Sequence, residues 1–375
     1  MERTNAYSLL DFLDNSPCNF FATATIQRYL DDNGFQELKQ SERWNLEKGG
    51  KYYVKKNDTA IFGFVIGETP LDQSGFNMIS AHSDSPCFRI KPNPEMLADG
   101  VLKLNTEVYG GPILYTWFDR PLSLAGRVIV RNPQNPARPI TRLIDFASPV
   151  LIIPHLAIHF NRNVNAGNPL SKQKDMLPIA AIVSDSMSKN NFLIDQIKER
   201  LEIADSKDIL DFDLMLYNCQ KSQLVGFNKE FICSGRIDDL SMAHAALSAL
   251  LNSDNPATTK VMAIFDNEET GSGTKQGAAS PVLASILHRV ATCMGLDDEG
   301  FYQALSRSFL VSADNAHAAH PNYPEKYDPT NHPKMGGGPV IKINANCKYM
   351  TDAHSSAIFK EVCHAANVPC QYFVQ

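Results

Sequence analysis

The chain has 375 residues, of which 43% are hydrophobic and 20% charged, and its net charge is −6 at pH 7. That describes an ordinary globular protein, long enough for two domains or one large domain with an insertion. It excludes the basic footprint of a nucleic-acid binder, and no apolar run reaches the length of a membrane span.

The opening Met1-Glu-Arg-Thr-Asn-Ala-Tyr7 lacks the charged-then-apolar pattern of a secretory signal. Eight cysteines are scattered without a C-x-x-C pair, which fits reduced thiols in a cytoplasmic protein. Residues 5–14 and 23–33 carry helical spacing of apolar side chains, and Asp31-Asp-Asn-Gly34 supplies a stop. Ala60–Ile66 and Phe76–Ala81 read as strands. From Leu102 to Gly226 short β-like runs dominate. Arg127–Arg131 and Arg138–Phe146 flank the turn-rich Asn132-Pro-Gln-Asn-Pro136, which predicts a hairpin with a longer loop.

A helix is predicted from near Asp238, because Leu240, Ala243, Leu247, Leu250 and Leu251 share one face. Lys260–Phe265 is a short buried strand. Ser280–Ala291 is a helix with Pro281 in its first turn, and Ser308–Ser312 is a further strand. Strands alternating with helices predict an α/β fold, a mixed sheet with helices on both faces.

Four segments carry candidate chemistry. Ser80-Ala-His82-Ser-Asp84-Ser-Pro86 follows a strand, and an H-x-D triplet in extended chain puts both side chains on one face. His82 is a candidate metal ligand and Asp84 the carboxylate that orients it. The plainer alternative is a loop histidine near an acid. Gly235-Arg-Ile-Asp238-Asp239-Leu240 places acids at a helix start, where a simple N-cap is the alternative. Asp266-Asn-Glu268-Glu269-Thr-Gly271 follows a fully apolar strand. Two adjacent like charges there suggest that one glutamate holds metal while the other handles a proton; a solvated turn is the alternative. Ser312-Ala-Asp314-Asn-Ala-His317-Ala-Ala-His320 again follows a strand, with a structural turn as the alternative.

Together these segments place acids or imidazoles after three predicted strands, at the edge where open α/β sheets collect ligands. Imidazole and carboxylate without thiolate suit zinc, manganese or cobalt in a hydrolytic site, and the spare carboxylates suit two bridged metals. His82 lies far upstream of Asp238, whereas Asp238 and Glu268 are close in sequence. The long gap must hold its own folded unit, so an inserted domain is expected at about 95–230, with 1–94 and 231–375 forming a discontinuous catalytic domain.

These motifs, in order, resemble the aspartyl aminopeptidase family of dinuclear zinc exopeptidases. Ile153-Pro-His-Leu-Ala-Ile-His159, Asn322-Tyr323 and Gly338-Pro-Val-Ile-Lys342 extend the match to the whole chain. The resemblance implies a zinc-exopeptidase-like three-layer sheet with an inserted β-rich dimerisation domain. It implies two zinc ions, with manganese or cobalt as substitutes. His82 and Asp314 would bind one metal, Asp238 would bridge, and Glu269 would bind the second. Glu268 would be the general base and Asp84 the carboxylate behind His82. Lys342, His317, Tyr349 and His159 would lie around the substrate, His159 reaching an active site from the insert.

The implied activity is release of N-terminal Asp or Glu from peptides by a cytoplasmic, dimer-based and often dodecameric homo-oligomer. The alternatives are a related exopeptidase or amidohydrolase of other specificity, and an inactive scaffold. One departure stands out. The family's last metal-binding histidine follows a glycine-rich segment near the C-terminus, and this chain ends at Cys370-Gln-Tyr-Phe-Val-Gln375 without it. Truncation is the expectation, with a natural short form as the alternative. His354 and His364 fall in a helical pattern and are read as structural, as is His244.

Overall fold

A computed structural model describes residues 2–183, 190–254 and 256–374. The chain forms two compact units, residues 1–313 and 314–375.

The first unit opens with helices α1 (Glu2–Asp14) and α2 (Asn19–Asp32). α2 starts ahead of the expected position because Phe20 and Ala22 are already buried on its inner face. It stops where predicted: Gly34, at φ 79°, returns its N–H to the Asp31 carbonyl at 3.0 Å. There follow β1 (Gln36–Glu37), β2 (Lys51–Lys56), β3 (Ala60–Val65), α3 (Leu71–Ser74) and β4 (Phe76–His82). The chain then builds β5 (Cys87–Ala98), β6 (Val101–Tyr109), β7 (Leu122–Val130), β8 (Ile140–Asp145), α4 (Lys172–Asp175) and β9 (Ile179–Ile182). Next come α5 (Phe192–Arg200), β10 (Ile209–Asn218), β11 (Gln223–Val225), β12 (Phe231–Cys233), α6 (Ile237–Asn252) and β13 (Thr259–Phe265). Helices α7 (Val282–Cys293) and α8 (Asp298–Ser306) and strand β14 (Phe309–Ser312) complete the unit.

Among the described residues the first sheet has six strands in the order β1-β2-β3-β13-β4-β14. It is mixed: β13, β4 and β14 run parallel, and β3 is antiparallel to β13. The apolar run of β13 is buried on both faces, as expected for a central strand. Val261, Ala263 and Phe265 pack with α3, α7 and α8 on one side. Met262 and Ile264 pack with α1, α2 and α6 on the other. This is the expected three-layer α/β arrangement. Pro281 lies one residue ahead of α7, at its N-cap, and not inside the first turn.

The second sheet, β8-β7-β10-β5-β6-β9, is antiparallel and comes entirely from residues 87–218. The predicted hairpin is β7–β8, closing at the Val130–Ile140 pair. One face of this sheet packs on Leu193 and Ile197 of α5. The other meets Cys18 and Phe20 at the start of α2, through Tyr109, Ala125, Met215 and Tyr217.

The second unit contains β15 (Val340–Ile343), α9 (Ala353–Ala365) and β16 (Gln371–Val374), with β15 and β16 parallel. Asp352 caps α9 through a reciprocal capping box with Ser355. Among the described residues no helix is long and apolar enough to cross a membrane.

Candidate metal centre

The site forms at the carboxyl ends of the parallel strands. His82, the last residue of β4, is the register partner of Phe265, the last residue of β13. Both chains therefore leave the sheet at one level, His82 toward Asp84 and Phe265 toward the glutamate pair. β14 ends at Ser312, and Asp314 opens the second unit.

His82 is 4% exposed. Its Nδ1 lies 3.0 Å from the Asp84 carbonyl and 3.2 Å from Asp84 Oδ1. That contact holds Nδ1, so Nε2 faces the remaining acids. Asp238 Oδ1 lies 3.4 Å from Nε2, Glu268 Oε2 3.8 Å and Asp239 Oδ2 4.0 Å. Asp239, fully buried, also accepts the backbone N–H of His82 at 3.1 Å. The acids at the start of α6 thus point at His82. Asp238 and Asp239 keep non-helical backbone angles inside that first turn, and the peptide between them is cis.

Asp84 is the hub of the site. Its carboxylate accepts the Tyr109 hydroxyl at 2.6 Å and the backbone N–H groups of Glu268 and Glu269 at 3.2 Å each. Burial alone would raise its pKa, but the donors on it, His82 and Tyr109 foremost, hold it below the usual carboxylate value.

The glutamates occupy a 3₁₀ turn, Glu268–Thr270, entered through Asn267 at φ 64° and left through Gly271 at φ 91°. Asn267 is pinned on both ends of its amide. Its Nδ2 donates to the Tyr109 oxygen at 2.8 Å, and its Oδ1 accepts from Thr274 at 2.7 Å and Gln276 at 2.9 Å. Asp266, 1% exposed, fixes the start of the turn by accepting the Asn267 N–H at 2.8 Å and the Asn19 amide at 3.0 Å.

The electrostatics suit a cation. Burial works against a charged imidazole, yet the hydrogen bonds to Asp238 and Asp84 outweigh it and push the pKa of His82 up to about 11 in the metal-free protein. Burial, reinforced by Asp238, Asp84 and Glu268 and opposed by His82, raises Glu269 to about 7. Excess negative charge around one imidazole nitrogen is what a divalent ion relieves.

Donor atoms of His82, Asp238 and Asp239 lie within 4.8 Å of one another, as do those of His82, Glu268 and Glu269. Nitrogen and carboxylate donors without thiolate, around a histidine whose Nδ1 is held by a carboxylate, fit zinc.

His159 is exposed in a loop that precedes the short helix at Val164. In the second unit, Lys342 Nζ lies 3.4 Å from Asp314 Oδ2, donates to the Asn315 carbonyl at 2.8 Å and sits 5.8 Å from the Tyr349 ring centre. His317 is exposed. His354 and His364 are exposed on α9, and His244 packs against α1, bonded to Ser8 at 2.9 Å, in keeping with structural roles.

Sequence reasoning missed Tyr109, Asp239, Asp266 and Asn267 as site-building groups. The last three sit inside the quoted motifs and were open to inspection. Tyr109 had no local signal: it reaches Asp84 only because β6 folds back on β5 with Tyr109 opposite Cys87.

Residues 12–375 match the aminopeptidase I zinc metalloprotease (M18) family. The chain belongs to that family. It is 51% identical over 370 residues to a probable M18 family aminopeptidase 2 of Clostridium novyi (strain NT), covering 98% of this chain and 85% of that one. A probable M18 family aminopeptidase 2 of Pseudomonas aeruginosa (strain UCBPP-PA14) is 41% identical over 367 residues, at 98% and 84% coverage. Among solved structures, this M18 chain is similar to a cryo-EM structure of the Ape4 and Nbr1 complex, with a TM-score of 0.93 and 35% identity over 99% of this chain and 75% of that one. Chaetomium thermophilum mApe1 gives a TM-score of 0.87 and 30% identity, at 97% and 85% coverage. The motif resemblance is borne out at the level of the M18 family: the chain is a metallo-aminopeptidase of a zinc family, a hydrolase acting on peptide bonds.

Proposed function

We propose that this M18 aminopeptidase uses two zinc ions to release N-terminal Asp or Glu from peptides. The observation that carries the dinuclear reading is that His82 belongs to two donor groups, one with Asp238 and Asp239 and one with Glu268 and Glu269. His82 and Asp314 would hold one ion, Asp238 would bridge, and Glu269 would hold the other.

Zinc in such a site supplies Lewis acidity toward a water and the scissile carbonyl. The chain supplies the rest. Glu268, with its side chain half-exposed and its backbone anchored on Asp84, takes the proton from the attacking water and passes it to the leaving amine. Asp84 keeps Nδ1 of His82 engaged so that Nε2 faces inward. Lys342 supports the acidic preference: its ammonium matches a carboxylate side chain, with His317, Tyr349 and His159 as the other groups around the substrate.

Residues 95–230 form the dimerisation insert between catalytic segments 1–94 and 231–375. Leu156, Ile158 and Phe160 around His159 are exposed, Phe160 by 80%, which supports burial of this loop in a cytoplasmic homo-oligomer. The test compares turnover of peptides beginning with Asp, Glu and Leu and of N-acyl amino acids, alongside zinc content by elemental analysis. Preference for Asp and Glu with about two zinc ions per subunit is expected. Faster turnover of Leu or N-acyl substrates refutes the specificity, and one zinc or none refutes the dinuclear centre.

A further inference from the structure

Tyr109, the last residue of β6 in the second sheet, and Gly110 after it touch both halves of the metal centre. Tyr109 is 8% exposed, its ring packed among Cys18, Phe20, Cys87, Ala125, Met215 and Tyr217. Its hydroxyl donates to Asp84 Oδ2 at 2.6 Å and accepts from Asn267 Nδ2 at 2.8 Å. Asp84 orients His82, and Asn267 sets the entrance of the glutamate turn. Gly110, next in the chain, has φ 69°, and a Cβ built on it would lie 3.1 Å from the Cβ of Glu269.

One phenol oxygen thus joins the histidine side of the site to the glutamate side, and it is fixed by a ring buried in a different sheet. Deleting it would leave a buried carboxylate with one donor fewer and a left-handed asparagine without its inner partner. The Asp84 carboxylate would then be free to turn, and the His82 ring and the Glu269 backbone would lose a common reference.

We infer that Tyr109 is a positioning residue that sets zinc affinity by locking Asp84 and Asn267 together, so that the second sheet controls the geometry of the metal centre. This rests on the zinc-site reading above. It concerns a residue outside the proposed ligand set.

The test measures zinc affinity of the full chain by competition with a chromophoric chelator, with a thermal melt of each variant. Tyr109→Phe keeps the ring and removes the oxygen. It should retain a cooperative melt and bind zinc roughly 10–100-fold more weakly, the scale seen when a group supporting a metal ligand is removed. Tyr217→Phe is the control: it is equally buried, in the same cluster, and its hydroxyl bonds to Asp145 at 2.7 Å. It should bind zinc as wild type does.

In an Asp84→Asn background, Tyr109→Phe should change affinity by less than about threefold, because the two groups act as one unit. Undiminished affinity in Tyr109→Phe overturns the inference, and so does an equal loss in Tyr217→Phe. If Tyr109→Phe does not fold, Asn267→Gly carries the same expectation, since it keeps the left-handed backbone and removes the other partner of that oxygen. A wild-type chain that takes up no zinc at all refutes the metal-centre reading itself, and the inference falls with it.

Discussion

Asp84 lies two residues after His82, and its Oδ1 stands 3.2 Å from the imidazole Nδ1. The extended chain at the end of β4 brings the two side chains to the same side, and the contact commits the outer nitrogen to the carboxylate. The inner nitrogen is left to the cluster of Asp238, Asp239 and Glu268. Three predictions follow from how the acids divide around that nitrogen, and a fourth from Lys342.

Glu268→Gln removes the proposed proton carrier and keeps the shape of the turn. Turnover should fall by roughly 10²–10⁴, the usual scale for general acid–base catalysis, while zinc content stays at the wild-type level. Steady-state kinetics with elemental analysis checks both. Near-normal turnover would assign the proton transfer to another group.

Glu269→Gln should act on metal and not on proton transfer. A neutral amide is a poor ligand for zinc, so occupancy of one ion should drop. Added zinc should restore part of the lost activity. Full occupancy after extensive dialysis would remove Glu269 from the ligand set.

The same residue should make the metal-free protein sensitive to pH. Burial is the largest cause that raises Glu269 from its ordinary 4.5 to about 7 in the folded state. The native state therefore holds a proton that the unfolded chain releases earlier. Its contribution to stability is complete below about 4.5 and is lost as pH rises through about 7. Glu269→Gln does not titrate. The Tm of the metal-free variant, minus that of wild type, should grow between pH 4.5 and 7 and level off above. A flat difference across that window would show that Glu269 ionises normally.

Lys342→Gln should act on specificity. Loss of a charge-assisted hydrogen bond is worth about 1.5–3 kcal/mol, so kcat/KM for Asp- and Glu-peptides should fall about 10–100-fold. Leu-peptides should be affected much less. A uniform loss across all substrates would place Lys342 in a structural role, consistent with its bond to the Asn315 carbonyl.

Much of the layered fold was legible beforehand because its signals are local. The apolar run at β13 marks a strand buried on both faces, and the face of Leu240, Ala243, Leu247 and Leu250 marks α6. Gly34 ended α2 for a reason visible in its residue type. Boundaries were less legible: Phe20 and Ala22 extend α2 toward its N-terminus because they are buried there, α2's first turn meeting the second sheet at Phe20. The alternative of a plain N-cap at Asp238 and Asp239 gave way for the same kind of reason, since their carboxylates turn to a histidine more than 150 residues upstream.

The sequence by itself determined which residues are candidates for the chemistry, because ligand and base types cluster in short motifs after strands. It also determined the family, since those motifs recur in order. Only the tertiary structure decided how the acids are shared around His82, which nitrogen faces them, and that Tyr109 of another sheet ties Asp84 to Asn267. Those relationships depend on strand register and on side chains far apart in the chain meeting at distances near 3 Å, which local pattern does not encode.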